Sequence, residues 1–394
     1  MKAVIWEGPR QIAVADVPDP KIEEPTDAII KVTSSGICGS DLHLYEALGP
    51  FMTPGDVMGH EPMGEVLEVG DEVTHIKPGD RVVIPFNISC GHCYMCDHGL
   101  QSQCETTQNT EHGTGASLLG YTKLYGQVPG GQAEYLRVPM AHYGPIPVPE
   151  GPPDDRFVYL SDVLPTAWQA VAYADVPQGG SVAVVGLGPI GDMATRVAMK
   201  QGAGTVIGID RVPERLARAQ RNGVAVINAD EVDDVGQAVR EMTQGRGADS
   251  AIDAVGMEAH GNPVVRTMRA TMSLLPDTLT EKLMRTAGID QLAALMSAFD
   301  MVRRGGTVSI FGVYGGMADP MPMLTLFDKQ VTIRMGQANV RRWLDDILPL
   351  VSDDTDPLGL ESFATHHLLL AEAPQAYKDF ASKKDGMVKV LLRP

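Results

Sequence analysis

Apolar positions come in two textures along this chain. Over the first third they form short runs broken by glycine and proline, at 28–32, 65–69, 81–84 and 134–138, which predicts a β-rich region. Near residue 160 the texture changes. Apolar runs at 182–185, 205–209, 225–227, 250–253, 307–311 and 331–335 then alternate with helical patterns, as in a parallel sheet built from βαβ units. Ile190, Met193, Ala194, Val197 and Ala198 fall on one helical face. Leu292, Leu295, Met296 and Phe299 do the same, and Gly305-Gly306 predicts the stop of that helix. The segment 257–290 is long for a connection and reads as a partly helical insertion. After about Gln337 the pattern is mixed, ending in a strand-like 387–392.

The run Val182-Ala-Val-Val-Gly186-Leu-Gly188-Pro189-Ile190-Gly191 places G-x-G-x-x-G between a strand and a helix. That context makes it a dinucleotide fingerprint. The first glycine makes the tight turn, the second admits the pyrophosphate, and the third lets helix and strand pack closely. The helix N-terminus offers free N–H groups to the phosphates. Asp210 follows Gly191 by 19 residues, at the end of the next strand. A carboxylate there accepts both ribose hydroxyls of NAD and repels the extra phosphate of NADP. Arg211 beside it is the feature that would tolerate that phosphate.

Composition narrows the function. The 394 residues carry a formal charge of −18 and five cysteines. So acidic a chain lacks the basic footprint of nucleic-acid binding and does not suit anionic lipid. No run approaches the roughly 18 apolar residues of a membrane span, and the N-terminus lacks the features of a signal peptide. The expectation is a cytoplasmic protein, whose cysteines bind metal or do chemistry rather than form disulfides. Cys90, Cys93, Cys96 and Cys104 lie within 15 residues of one another. Four thiolates in one short loop suit a closed, tetrahedral structural zinc. A nucleic-acid-reading zinc ribbon is disfavoured by the charge and by the absence of a local Lys/Arg cluster.

Two further clusters precede that lobe: Gly36-Ile-Cys38-Gly-Ser40-Asp41-Leu-His43 and Gly59-His60-Glu61. In this order, followed by the cysteine lobe and the fingerprint, they resemble the zinc-dependent medium-chain alcohol dehydrogenases over nearly the whole chain. The resemblance implies an α/β protein: a GroES-like β-rich catalytic domain from 1–163 and 337–394, and a Rossmann doubly wound domain at 164–336 carrying the 257–290 insertion. It implies a catalytic zinc held by Cys38 and His60. The third ligand is usually a Cys or Glu. Here Leu160-Ser-Asp162-Val-Leu-Pro165-Thr166 resembles the glutathione-independent formaldehyde dehydrogenases, where the Asp is the ligand, and so implies Asp162. A thiolate, a neutral imidazole and a carboxylate would leave Zn²⁺ neutral with one position open.

By the same resemblance Ser40 takes the alcohol proton and His43 carries it outward, while Glu61 supports the zinc or acts as an occasional ligand. Thr166 and Ile190 should touch the nicotinamide, Arg215 the adenosine ribose, Gly312 and Val313 the carboxamide, and Lys389 the pyrophosphate. Phe86 and Trp168 are candidate walls of the substrate pocket, or simply core. The chemistry implied is hydride transfer between a small alcohol or aldehyde hydrate and NAD, with two zinc ions per chain, in a tetramer or dimer. Formaldehyde oxidation or dismutation, and oxidation of polyols or secondary alcohols, compete within this reading. A zinc-free quinone or enone reductase and a non-catalytic NAD-sensing protein are the readings from other classes.

Overall fold

The computed structural model describes residues 1–256, 292–314 and 321–394. Contacts divide the chain into two units, Met1–Pro165 with Ala338–Pro394, and Thr166–Gln337. The expected insertion at 257–290 lies outside the described residues.

The first unit opens with an antiparallel hairpin, β1 (Lys2–Gly8) and β2 (Gln11–Asp16). The long β3 (Ala28–Ile37) then runs antiparallel to β4 (Pro62–Val69), which pairs with β5 (Arg81–Val83). A small ribbon of β6 (Gln108–Asn109) and β7 (Thr114–Ala116) precedes β8 (Tyr135–Val138), which pairs with β3, and β9 (Ile146–Pro147), which pairs with β5. Helix α1 (Gly39–Glu46) follows β3 directly, with Cys38 at its N-cap. Short helices α2 (Tyr94–Asp97) and α3 (Asp154–Phe157) complete this stretch, and the longer α4 (Val163–Ala174) starts at its end and continues into the second unit.

The second unit holds six parallel strands: β10 (Ser181–Val185), β11 (Thr205–Asp210), β12 (Ala225–Asn228), β13 (Ala248–Asp253), β14 (Val302–Ile310) and β15 (Thr332–Met335). Their order is β12-β11-β10-β13-β14-β15. The order reverses between β10 and β13, the switch point at which doubly wound sheets bind nucleotides. Val182, Val184, Ala251 and Ile252 are fully buried, as strands covered on both faces must be. Helices α5 (Pro189–Lys200), α6 (Pro213–Arg221), α7 (Val235–Met242), α8 (Ala293–Met301) and α9 (Met323–Lys329) connect or flank them.

One helix end differs from its expected place. The helix predicted to stop at Gly305-Gly306 ends at Met301, and both glycines lie within β14. Pairing jumps from Ala248↔Val302 to Ser250↔Thr307, so residues 303–306 loop out of register. Gly305 takes φ +66°, and a Cβ on Gly306 would come within 2.6 Å of the Asp249 carbonyl. These glycines serve an irregularity in the strand rather than a helix cap.

The chain then returns to the first unit through α10 (Leu344–Val351), β16 (His366–Leu369), α11 (Ala373–Ala381) and β17 (Val390–Arg393). β17 pairs antiparallel with the end of β3, Val390 opposite Ile37. Tyr377 and Phe380 of α11 pack with Val4, Trp6, Ile37 and Leu44 in one buried cluster. Among the described residues, no helix is long and apolar enough to cross a membrane.

Candidate metal centres and nucleotide site

The register of β3 and β4 builds the first centre. Ser35 opposes Pro62, so Cys38, just past one strand, meets His60 and Glu61, just before the other. Gly36 N donates to Glu61 O (3.0 Å) across this junction. A Cβ at Gly36 would run into the Glu61 carboxylate, so the strands approach this closely only with glycine there. Phe86 N donates to Ser161 O (3.0 Å), tying the segment before Asp162 to the same sheet.

Cys38, His60, Glu61 and Asp162 are all buried, and each offers a donor atom within 4.8 Å of the others. Asp162 Oδ2 lies 3.6 Å from Cys38 Sγ and 3.3 Å from His60 Nε2. Sulfur, imidazole nitrogen and carboxylate oxygen form the donor mixture zinc favours. Charge agrees with this. The Cys38 thiolate and the Asp41, Glu61 and Asp162 carboxylates against the Lys389 ammonium leave a net negative site that favours a dication. Without a metal the protons are held tightly. Burial, then Glu61 and Asp162, push the Cys38 thiol up to about 11. Burial opposes the His60 cation, but Asp41 and Asp162 outweigh it and raise His60 well above its ordinary value. Burial also raises Glu61. A metal bound here must displace protons, so its affinity rises with pH. Between about pH 8 and pH 6, one zinc per chain is expected to pass to a chelator progressively faster as the pH falls.

Ser40, in the first turn of α1, has its Oγ 3.2 Å from His60 Nε2. His43, one turn on, is buried. Phe86 and Tyr121 both stand edge-on to the His60 ring, with centroids 6.3 and 6.4 Å away. Tyr121 carries no motif signal and was not expected here. Asp41 was also unforeseen in this role. It accepts from Cys38 N (3.0 Å) through Oδ2, and its Oδ1 lies 3.0 Å from His60 Nδ1. An acid at the third position of a helix beginning Cys-Gly-Ser-Asp is the one sequence cue that pointed to it.

Lys389, expected at the cofactor pyrophosphate, is fully buried. Its ammonium is engaged with the Glu61 carboxylate and donates to Ile37 O (3.2 Å). Burial would strip the proton, but Glu61 outweighs it and raises the pKa.

The second centre is the cysteine lobe. Cys90, Cys93, Cys96 and Cys104 converge, and all are free thiols. Cys93 and Cys104 sulfurs lie 3.9 Å apart. Cys90 N donates to Cys104 Sγ and Glu105 N to Cys93 Sγ, each at 3.3 Å. Burial pushes the Cys93 thiol up, but backbone donors from Cys96 and Glu105 outweigh it and bring it to about 6. Such N–H donors stabilise thiolates, the form a metal needs. Cys93→Ser is expected to remove one zinc and lower the melting temperature. Remaining activity should follow the folded fraction, as metal analysis alongside a thermal melt would show.

The nucleotide fingerprint lies in the second unit. Gly186 takes φ +87°, and a Cβ on Gly191 would collide with the Gly186 carbonyl, so the turn and the close packing both need glycine. Gly188 caps α5 and Pro189 starts it. A Cβ at Gly188 would meet only the Arg215 guanidinium, at 3.6 Å. Asp210 Oδ2 accepts from Leu187 N (2.7 Å), and its Oδ1 accepts from Arg211 N (2.7 Å) and Val212 N (3.0 Å). Arg215 lies 3.8 Å from that carboxylate, while Arg211 turns towards Asp230. Gly312 abuts Gly256 backbone to backbone, at the ends of β14 and β13, and Val313 is exposed. Thr166, Ile190 and Trp168 are half-buried on α4 and α5.

Comparison with known proteins completes the picture. Residues 24–149 match the alcohol dehydrogenase GroES-like domain, and 189–271 match the zinc-binding dehydrogenase domain. The chain is 42% identical to an uncharacterized zinc-type alcohol dehydrogenase-like protein of Bacillus subtilis, over all of both chains. It is 32% identical to the glutathione-independent formaldehyde dehydrogenase of Pseudomonas aeruginosa, covering 96% of this chain and 94% of that protein. The alcohol dehydrogenase of Thermus sp. ATN1 superposes with a TM-score of 0.82 at 36% identity, over 100% and 99% of the two chains.

Proposed function

The chain belongs to the zinc-type alcohol dehydrogenase family, and from that membership we propose that it moves a hydride between a small alcohol, or an aldehyde hydrate, and NAD. The observation that carries this is the buried grouping of Cys38, His60 and Asp162, with Glu61 adjoining, at the joined ends of β3 and β4. Cys38, His60 and Asp162 hold the catalytic zinc, and the four lobe cysteines hold the structural one. Zinc at the first site supplies the Lewis acidity that makes an alcohol proton removable near neutral pH and polarises a carbonyl.

The chain's own residues do the rest. Ser40, whose Oγ lies 3.2 Å from His60 Nε2, would take the substrate hydroxyl's proton while giving its own to the cofactor ribose and thence to His43. His43, one turn on in α1, is the candidate for the next step outward. Phe86 and Tyr121 flank His60 with ring edges, giving the site apolar walls that exclude water. Glu61, paired with Lys389, supports the charge balance.

Asp210 favours NAD. Its carboxylate is fixed by three backbone N–H groups, and a fixed negative charge repels a 2′-phosphate. Gly186, Gly188, Pro189, Gly191 and Arg215 line the phosphate and ribose side. Thr166, Ile190, Gly312 and Val313 serve the nicotinamide. Residues 1–163 with 337–394 form the GroES-like catalytic part and 164–336 the Rossmann part, a reading that the division of the chain at 165/166 and 337/338 supports.

Glutathione-independent formaldehyde oxidation is the alternative substrate reading, supported by the likeness at Asp162. A cytoplasmic setting accords with five free cysteines. A homo-oligomer accords with the edge strand β15, whose four residues are all exposed, Met335 at 64%. The test is NADH absorbance across a panel of primary, secondary and polyhydric alcohols and formaldehyde, with NAD and NADP in parallel. NAD-linked oxidation is expected. A preference for NADP would overturn the role given to Asp210, and no turnover with any member would overturn the dehydrogenase reading.

A further inference from the structure

We propose that Gln132 and Tyr377, remote from each other in sequence, are positioning residues that fix the orientation of His60 by holding the Asp41 carboxylate against it. The proposal rests on the reading of Cys38, His60 and Asp162 as zinc ligands. Asp41, Gln132 and Tyr377 are all fully buried, so their polar atoms must satisfy one another.

Counting donors and acceptors leaves one arrangement. Gln132 Nε2 faces two acceptors, Gly36 O at 3.0 Å and Asp41 Oδ2 at 3.4 Å. Only the NH₂ end of the amide can meet both. The amide oxygen therefore turns to Tyr377, whose hydroxyl donates to it at 2.9 Å. Burial holds the Tyr377 phenol well above its ordinary pKa, so the proton stays on the hydroxyl. Asp41 Oδ2 then receives Cys38 N–H and the amide, and Oδ1 is left for His60 Nδ1 at 3.0 Å. The Asp41 carboxylate so placed sits against Nδ1 and turns Nε2 towards Cys38 and Asp162, whose Oδ2 lies 3.3 Å from it.

The amide cannot slip from this position. Gly59, at φ +96°, packs so closely that a Cβ there would sit 2.3 Å from Gln132 Cγ. Tyr377 is held in turn by α11, in the same apolar cluster as Trp6 and Leu44. The C-terminal segment therefore orients a metal ligand that it never touches.

The test uses the full-length, zinc-loaded chain, with Tyr377→Phe and Gln132→Leu. Two readouts apply: the rate of zinc release to a chelator, and the visible spectrum after cobalt replaces the zinc of this site. Tyr377→Phe frees the amide from its donor and is expected to speed release of one zinc by about tenfold. Gln132→Leu should do so by more, and both should shift the cobalt bands. The rate from the cysteine lobe should not move. Wild-type release and wild-type cobalt bands in both variants would overturn the proposal, even if their melting temperatures fall. Should Gln132→Leu fail to fold, Tyr377→Phe alone decides, since it removes only one oxygen. A wild-type chain holding zinc at the lobe alone would instead overturn the premise, and the proposal with it.

Discussion

Replacing Asp162 by alanine is expected to empty one metal site and leave the other intact. Metal analysis should fall from two zinc ions per chain to about one, since a catalytic zinc keeps only three protein ligands and tolerates the loss of one poorly. Activity should fall by more than the roughly 10–100-fold typical of losing a group that merely supports a ligand. The geometry gives the reason. Asp162 Oδ2 is the oxygen that closes the triangle, 3.6 Å from Cys38 Sγ and 3.3 Å from His60 Nε2. Glu61 is also within the cluster, but Lys389 engages it. Full zinc and full activity in Asp162→Ala would remove Asp162 from the ligand set.

Ser40→Ala should behave differently. The hydroxyl lies beside the site without belonging to the ligand set, so both zinc ions should remain. Losing a positioned proton acceptor typically costs about 10²–10⁴ in rate. The turnover number should therefore fall steeply while KM changes little. Unchanged turnover would rule out Ser40 as the first proton acceptor. The two variants separate metal binding from proton transfer: one loses metal and rate together, the other rate alone.

The sequence carried the chemistry further than the supporting contacts. The four lobe cysteines, the glycine fingerprint and Asp210 were legible because their function depends on short local spacing. The β3 and β4 ligands were legible only through a resemblance. Nothing in the 21 residues between Cys38 and His60 states that Ser35 will oppose Pro62. Gln132, Tyr377 and Tyr121 left no signal, since each acts through a long-range contact fixed by packing. The contact of Lys389 with Glu61 left no signal for the same reason: it is made by the pairing of β17 with β3. Gly305-Gly306 was misread because a glycine stop and a glycine bulge look alike in one dimension, and only strand register separates them.

The decisive measurement follows alcohol-dependent NADH formation while zinc is withdrawn from the purified chain and then restored. Activity is expected to disappear with the loss of one zinc per chain, while the second remains and the chain stays folded. Activity should return as that ion is replaced. Undiminished NAD-linked oxidation in a chain that has lost the zinc held by Cys38, His60 and Asp162 would contradict a catalytic role for that centre.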